Sequence, residues 1–218
     1  MAKGGKEKKL SYERAPSMVW YRVLRPIFTV IFRTFWPLRV VGAENVPKEG
    51  AAVVVSNHLS MIDPFVVSYG AHRMVSFMAK EELFRVPFVG LLIRRLGAFP
   101  VDRSRQDATS LRVALTVLKG GELLGMFPEG TRSTTGEMME MRTGAVRLAS
   151  KTGMPIIPTA VVNTQKALPP GKFIRPARIE VHFGPAFDIA ELYEKHGKGE
   201  ATQMALEMLR VRIEALHG

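Results

Sequence analysis

The chain has 218 residues, and 46% of them are hydrophobic against 23% charged, which excludes a disordered or fibrous protein and allows one domain with a short appendage. It contains no cysteine, so disulfides, thiolate-bound metals and thiol nucleophiles are excluded. Its 31 Lys and Arg against 20 Asp and Glu give a net charge of +11, which favours an anionic partner: nucleic acid, an anionic membrane surface or a phosphorylated substrate.

Most of the excess charge lies near the N-terminus. Residues 1–39 carry nine basic and two acidic side chains, a net charge of +7, which leaves +4 for the other 179 residues. The first ten residues are polar and rich in glycine and lysine, and residues 1–16 are predicted to be a disordered basic tail. Nucleic-acid binding usually needs a basic face on the folded domain, so this distribution favours a membrane surface instead.

Residues 17–39 are predicted to form an amphipathic helical segment that lies on a membrane surface. On a helix, Arg22, Arg25 and Arg33 fall within one arc, while aromatic and aliphatic side chains fill the opposite arc. The arginines disfavour a membrane span, and Pro26 is expected to kink the helix or divide it in two. The residues expected to contact the membrane are Trp20, Arg22, Arg25, Phe28, Arg33, Phe35 and Trp36. The alternatives are a helix packed on the domain with its arginines in water, or a helix that serves both surfaces.

Residues 40–218 are predicted to form an α/β domain with a mostly parallel central sheet flanked by helices, because apolar runs alternate with helical patterns. A linker is expected near 39–42, so removal of residues 1–39 should leave this domain folded. Strands are predicted at 51–56, 74–79, 99–102, 122–127, 155–162 and 178–183, and helices at 64–71, 105–118, 143–151, 188–197 and 201–216. In such sheets, ligands bind beyond the carboxyl ends of the strands.

A candidate base and its orienting carboxylate follow the first of these strands. His58 stands at the strand end, and Asp63 comes five residues later. Pro64 disfavours helical geometry at Asp63, so the intervening loop can curl and bring the carboxylate to the imidazole Nδ1. The alternatives are a helix N-cap for Asp63 and a core position for His58.

A candidate anion site follows the strand at 122–127. Gly130 permits positive φ, Thr131 and Ser133 supply hydroxyls, and Arg132 can grip a phosphate through two N–H groups. Lys80 and Arg103 also stand at strand ends and would add charge to the same pocket. Separately, these features are typical of a polar turn and solvated cations. Metal-ligand spacing, nucleotide-binding motifs and a serine nucleophile motif are absent from the sequence, which favours direct attack by a substrate hydroxyl.

Four blocks in order resemble the glycerolipid acyltransferases, specifically the 1-acylglycerol-3-phosphate (lysophosphatidic acid) acyltransferase family, over roughly residues 40–165. The first is an N-H-x(4)-D block formed by Asn57, His58 and Asp63. The others are a glycine-to-arginine block at 97–103, F-P-E-G-T-R-S at 127–133 and P-I-I-P at 155–158.

This resemblance implies transfer of a fatty acyl group from an acyl thioester to the sn-2 hydroxyl of 1-acylglycerol-3-phosphate, which makes phosphatidic acid. His58 would act as the general base and Asp63 would orient it. Lys80, Arg103 and Arg132, with Thr131 and Ser133, would hold the acceptor's phosphate. Glu129 and Gly130 would shape the acceptor loop, with Glu129 expected to pair with a nearby cation, and Asn57 would fix the loop or contact the thioester.

The resemblance also implies the partners: lysophosphatidic acid, an anionic phospholipid membrane, and acyl-CoA or acyl-carrier protein as the donor substrate, with no cofactor, no metal and no nucleic acid. The expected location is the cytoplasmic face of the cell membrane, as a peripheral or monotopic protein. One alternative is the same chemistry on glycerol-3-phosphate or another lysolipid. Another is a non-enzymatic basic nucleic-acid-binding protein, which the charge distribution disfavours.

Overall fold

The computed structural model describes residues 17–101, 108–133, 135–169 and 173–217. In this part of the chain the strands are β1 (Leu38–Val41), β2 (Ala52–Ser56), β3 (Val75–Lys80), β4 (Phe99–Val101), β5 (Leu123–Met126), β6 (Ile156–Val162) and β7 (Ile179–Phe183). They form one sheet in the order β1-β7-β6-β2-β5-β3-β4. Neighbouring strands are parallel except β6 and β7, so the predicted mostly parallel sheet is confirmed.

Helices cover both faces of this sheet. They are α1 (Ser17–Thr34), α2 (Asp63–Gly70), α3 (Val89–Arg95), α4 (Ala108–Lys119), α5 (Gly144–Thr152), α6 (Thr164–Ala167), α7 (Ala190–Lys195) and α8 (Lys198–Glu214). On one face, Val54 of β2 packs in a core with side chains of α1 and α2. On the other face, Val53 and Val55 pack with side chains of α4, α5 and α8. Burial on both faces explains why β2 is a continuous apolar run rather than an alternating one.

The structure corrects the expected linker near 39–42. Leu38–Val41 is the edge strand β1, and it pairs in parallel with β7 through Leu38 opposite Ile179 and Val40 opposite Val181. Removal of residues 1–39 would therefore take away half of this edge strand together with α1, so the remaining domain should not fold normally.

Two further local expectations are corrected or extended. Helix α1 continues through Pro26, so the expected division of this helix is wrong. The region between β3 and β4 holds a 3-10 turn at Glu81–Arg85 and then α3, neither of which the sequence pattern predicted. The end of the strand predicted at 99–102 and the start of the helix predicted at 105–118 lie outside the described residues.

Candidate active site

The loop after β2 is attached to β6 through the side chain of Asn57. Its Nδ2 donates to the Val161 carbonyl at 3.0 Å, and its Oδ1 accepts from the Val161 N–H at 2.8 Å. The side chain is buried, so both of its polar atoms are used in place of main-chain ladder bonds. Of the two roles expected for Asn57, this geometry matches fixing of the loop.

His58 and Asp63 meet as the sequence predicts. The His58 Nδ1 lies 2.8 Å from Asp63 Oδ2, and the same oxygen accepts the N–H groups of Leu59 and Ser60 at 2.7 Å each. Asp63 is the first residue of α2 and is completely buried. An ionised carboxylate only accepts, so Nδ1 carries the proton and Nε2 is left as the basic nitrogen. Within the described residues, Nε2 makes no hydrogen bond, and Asp63 Oδ1 has no partner either.

The imidazole of His58 is the end of a stack of three rings. Phe127, directly after β5, lies against it with a centroid distance of 4.0 Å and an interplanar angle of 13°. Phe77 of β3 stacks on the other side of Phe127 at 4.9 Å. Gly125 makes room for this stack, because a Cβ there would lie 2.3 Å from the Phe77 ring. Sequence reasoning missed these supporting residues, since only the fold brings β3 and β5 side by side.

Glu129 fixes the main chain of His58 through a hydrogen bond. Its Oε1 accepts the His58 N–H at 2.8 Å, and its Oε2 accepts the Met139 N–H at 3.1 Å. Among the described residues, backbone N–H groups and not the expected cation satisfy this buried carboxylate. Burial raises the pKa of Glu129, and these two N–H donors partly oppose the rise.

Gly130 and Ser133 determine the shape of the same loop. Gly130 has a φ of +71°, and a Cβ there would lie 3.2 Å from the guanidinium of Arg142, a residue that the sequence pattern did not single out. The buried Ser133 donates its N–H to the His58 carbonyl at 2.8 Å, and its Oγ accepts the Gly136 N–H at 3.1 Å. The hydroxyl expected to bind phosphate is thus used inside its own loop.

His58 opens into a cleft with a volume of about 340 Å³. Lys80, at the end of β3, and Thr131 and Arg132 line the same cleft, so the structure brings three of the predicted anion-binding residues to the candidate base. Arg103, the remaining predicted cation, lies outside the described residues. The other walls are mainly apolar, with side chains from α1, α2, α3 and the turn before α3, namely Phe28, Pro64, Phe65, Leu83, Val89, Ile93 and Leu96. The site therefore combines a base, cations and an apolar surface.

The predicted membrane residues, which lie on α1 and at positions 35 and 36 just after it, face different surfaces. Trp36 is buried and donates its indole N–H to the Arg175 carbonyl at 2.8 Å, and Phe28 stacks on Phe65 of α2. Arg25 lines the cleft with its guanidinium near the rings of Tyr21 and Tyr69. These three residues face the domain, because the broad apolar arc of α1 packs on the sheet.

The outer surface of α1 carries a different set of side chains. Arg22, Arg33 and Phe35 are exposed as expected, whereas Trp20 is half-buried under the guanidinium of Arg95. An apolar stripe that the sequence reasoning did not single out lies outward, formed by Val19, Val23, Ile27 and Val30, each more than half exposed. No helix in the described part of the chain has the length and apolar character that crossing a membrane would require. Likewise, no three His, Asp or Glu side chains converge into a metal site among the described residues.

Comparisons with known proteins show what the whole chain is similar to. A family model described as Acyltransferase matches residues 37–162. A 1-acyl-sn-glycerol-3-phosphate acyltransferase of Borreliella burgdorferi is 29% identical over 81% of this chain and 72% of its own length. One of Pseudomonas aeruginosa is 33% identical over 83% of this chain and 70% of its own length. The crystal structure of the 1-acyl-sn-glycerophosphate (LPA) acyltransferase PlsC from Thermotoga maritima is 28% identical with a TM-score of 0.72, covering 94% of this chain and 84% of that one.

Proposed function

The chain belongs to the acyltransferase family, and from this premise we propose that it transfers a fatty acyl group from an acyl thioester to the sn-2 hydroxyl of 1-acyl-sn-glycerol-3-phosphate. The products are phosphatidic acid and a free thiol. Support comes from the family model, which matches more than half of the chain, and from relatives that carry this activity in their names. Both of these relatives match over most of their own length.

The hydrogen-bonded pair of His58 and Asp63, in a cleft with cations and apolar walls, carries the proposal. Nε2 of His58 removes the proton of the acceptor hydroxyl as its oxygen attacks the thioester carbonyl. The tetrahedral intermediate then collapses and expels the thiolate, which takes the proton back from the imidazolium. Asp63 holds the ring in the reactive tautomer and stabilises the transient positive charge. Each proton and electron pair is accounted for without an acyl-enzyme.

The charged side of the cleft is proposed to hold the phosphate of the acceptor. Lys80 and Arg132 supply positive charge, and Thr131 supplies a hydroxyl donor. We propose the same role for Arg103, because it stands at the end of the glycine-to-arginine block. A phosphate fixed at one end would orient the glycerol hydroxyl toward Nε2, and such positioning contributes much of the rate in reactions of two bound substrates.

The apolar side of the cleft is proposed to hold a fatty acyl chain. Its walls come from α2, α3 and the ring of Phe28 on α1, and they carry few polar groups. A hydrocarbon chain gains free energy in such surroundings roughly in proportion to the apolar area removed from water. This arrangement supports acyl-CoA or acyl-carrier protein as donor, since both carry the same acyl thioester.

A membrane-surface location is part of the proposal, because both the acceptor and the product are lipids. The exposed stripe of α1, with Val23 and Ile27 near its centre, is suited to the boundary between headgroups and acyl chains. Arg22 and Arg33 are exposed on the same helix and suit anionic headgroups. We place the protein at the cytoplasmic face of the cell membrane, as a peripheral or monotopic enzyme.

A panel of acceptors and donors tests the proposed function. The purified protein is offered 1-acyl-sn-glycerol-3-phosphate, glycerol-3-phosphate and other lysolipids, each with acyl-CoA or acyl-carrier protein. We expect phosphatidic acid as the main product, and loss of its formation in His58→Ala but not in His196→Ala, which removes a surface histidine paired with Glu200. A strong preference for glycerol-3-phosphate would replace the acceptor. Normal turnover in His58→Ala would overturn the mechanism.

A further inference from the structure

The segment that leads into α3 carries an unusual concentration of exposed apolar side chains. Residues 86–93 contain no charged side chain. Val86 is 46% exposed, Phe88 86% and Leu91 57%, and Val89 is also exposed. These four residues, called here the apolar knob, lie within six consecutive positions just before and at the start of α3. Contiguous exposed apolar surface of this kind usually marks a contact with a partner or a membrane.

The knob is held outward by a strained turn. Phe88 has a φ of +61°, and the Val89 N–H donates to the Pro87 carbonyl at 2.7 Å, which closes a γ-turn around Phe88. A turn of this sign is rare for a residue with a side chain and costs free energy. The surroundings fix it, because Gly90 donates to the Val86 carbonyl at 2.8 Å and packs so closely on Phe84 that a Cβ would lie 2.5 Å from its carbonyl oxygen. The exposure of the Phe88 ring is therefore built into the backbone.

The knob lies next to both the cleft and α1. Val89 and Ile93 of this segment line the cleft that contains His58. At the other end of α3, the guanidinium of Arg95 lies 4.6 Å from the centre of the Trp20 ring on α1. Helix α3 therefore contacts α1 through Arg95, and the knob stands at the wall of the candidate active site.

The charges around the knob favour a lipid partner over a second copy of the chain. Arg85 precedes the apolar run, and Arg94 and Arg95 follow it. Arg85 is exposed and pairs at 2.8 Å with Glu81, an exposed contact that competes weakly with other anions. With Lys80, the three arginines outnumber the carboxylates of Glu81 and Glu82 in residues 80–95. Two copies would bring this excess positive charge together, whereas a layer of anionic headgroups would pair with it.

We propose that the apolar knob is a second membrane-insertion element, separate from α1, which enters a bilayer containing anionic glycerophospholipids. Phe88 and Leu91 lie among the acyl chains near the headgroups, and the flanking arginines contact lipid phosphates. This inference rests on the proposed function in one respect, since it would place the cleft at the lipid surface from which a lysolipid enters. Binding to vesicles, however, is measured without any catalysis.

The first test compares vesicle binding by the full chain and Phe88→Gly. Glycine adopts positive φ without strain, so this variant should unfold at the same temperature as the parent protein or higher. On vesicles made of equal parts of phosphatidylcholine and phosphatidylglycerol, we expect cosedimentation to show an affinity about tenfold lower than that of the parent. Leu111→Ser, which removes an exposed leucine from α4, is the matched control and should bind normally. Equal binding by Phe88→Gly and the parent would overturn the proposal.

The second test measures how deeply position 88 enters the bilayer. In vesicles with brominated acyl chains, Phe88→Trp should show more fluorescence quenching than the background from Trp20 and Trp36, and Leu111→Trp should not. A dimer in solution that Phe88→Gly abolishes would overturn the proposal in favour of a contact between copies. Acyl transfer to a monomeric short-chain lysophosphatidate should be unchanged in Phe88→Gly. If the parent protein binds vesicles through Phe88 but shows no acyl transfer, the proposed function fails and the membrane element stands.

Discussion

The phenyl ring of Phe127 lies flat against the imidazole of His58, with the two centroids 4.0 Å apart. Asp63 fixes one edge of the same imidazole through Nδ1, at 2.8 Å. A hydrogen bond alone allows the ring to swing about the donor, and a flat contact removes that freedom. The two contacts together therefore determine where Nε2 points into the cleft.

The first prediction concerns this ring contact. Phe127→Leu should lower kcat about tenfold to a hundredfold. Without the flat ring, the His58 imidazole can shift by a fraction of a hydrogen-bond length, and Nε2 then removes the acceptor proton less effectively. KM should change less than kcat, and Phe127→Tyr, which keeps the flat ring, should restore most of the rate. Steady-state kinetics of the three proteins provide the measurement. Equal kcat in Phe127→Leu and the parent would show that the stack has no positioning role.

The second prediction concerns the carboxylate of Asp63. In Asp63→Asn, the amide oxygen at the Oδ2 position can still accept from Leu59, Ser60 and His58 Nδ1, but a neutral amide cannot stabilise the imidazolium as the carboxylate does. We expect kcat to fall about 10²- to 10⁴-fold with the fold preserved. Asp63→Ala should also lower the free energy of unfolding by about 1–3 kcal/mol, because it leaves buried N–H groups without an acceptor. Asp188→Asn, on an exposed turn, is the matched control for turnover and urea denaturation.

The central sheet and the His58–Asp63 pair could be predicted because their signals are local. Buried parallel strands are continuous β-branched runs, and His58 and Asp63 stand only five residues apart, within one short motif. The edge strand β1 could not be predicted in the same way. It has four residues, one of them the exposed Arg39, and it becomes a strand only by pairing with β7 far along the chain.

The parts of the site that the sequence did not predict depend on backbone atoms or on neighbouring strands. Glu129 was expected to find a cation, but the N–H groups of His58 and Met139 satisfy it, and a residue pattern contains no information about main-chain donors. The division of the expected membrane residues between two surfaces could not be predicted for a similar reason. The broad apolar arc of α1 packs on the domain, and only the fold reveals that Trp36 faces inward.

The third prediction follows from the raised pKa of Glu129. Because burial raises this pKa above its unfolded value of 4.5, the folded protein holds the proton more tightly. The contribution of Glu129 to stability is then present below pH 4.5 and is lost as the pH rises through the folded pKa. Urea denaturation between about pH 4 and pH 7 should show the parent losing stability relative to Glu129→Gln as the pH rises. Glu191→Gln, at an exposed pair with Lys195, should follow the parent. A difference between Glu129→Gln and the parent that does not vary with pH would contradict this assignment.

The fourth prediction separates the two surfaces of α1. The pair Val23→Ser and Val30→Ser lies on the exposed stripe, so it should reduce affinity for anionic vesicles about tenfold or more without lowering the melting temperature. Phe32→Ala removes a buried ring from the core and should lower the free energy of unfolding by about 3–5 kcal/mol. Val211→Ser, on an exposed position of α8, controls for the general effect of serine. Unchanged vesicle binding in the double variant would exclude the stripe as a membrane contact.

The fifth prediction concerns Gly125, which lies directly against the Phe77 ring of the stack. A methyl group there would lie 2.3 Å from the Phe77 ring, too close for any real contact, so Gly125→Ala must displace Phe77 and through it Phe127. We expect a loss of about 1–3 kcal/mol in the free energy of unfolding together with a lower kcat. Gly144→Ala is the matched control, since its methyl would lie 3.7 Å from the Met126 side chain, an ordinary distance.

A second substitution distinguishes a packing effect from an effect on the base. Adding Phe77→Leu to Gly125→Ala relieves the overlap, so thermal unfolding should return toward that of the parent protein. The kcat should stay low, because a leucine gives Phe127 no ring to stack on. If kcat recovered together with stability, the stack would matter only for folding, and His58 would be positioned by Asp63 and Glu129 alone.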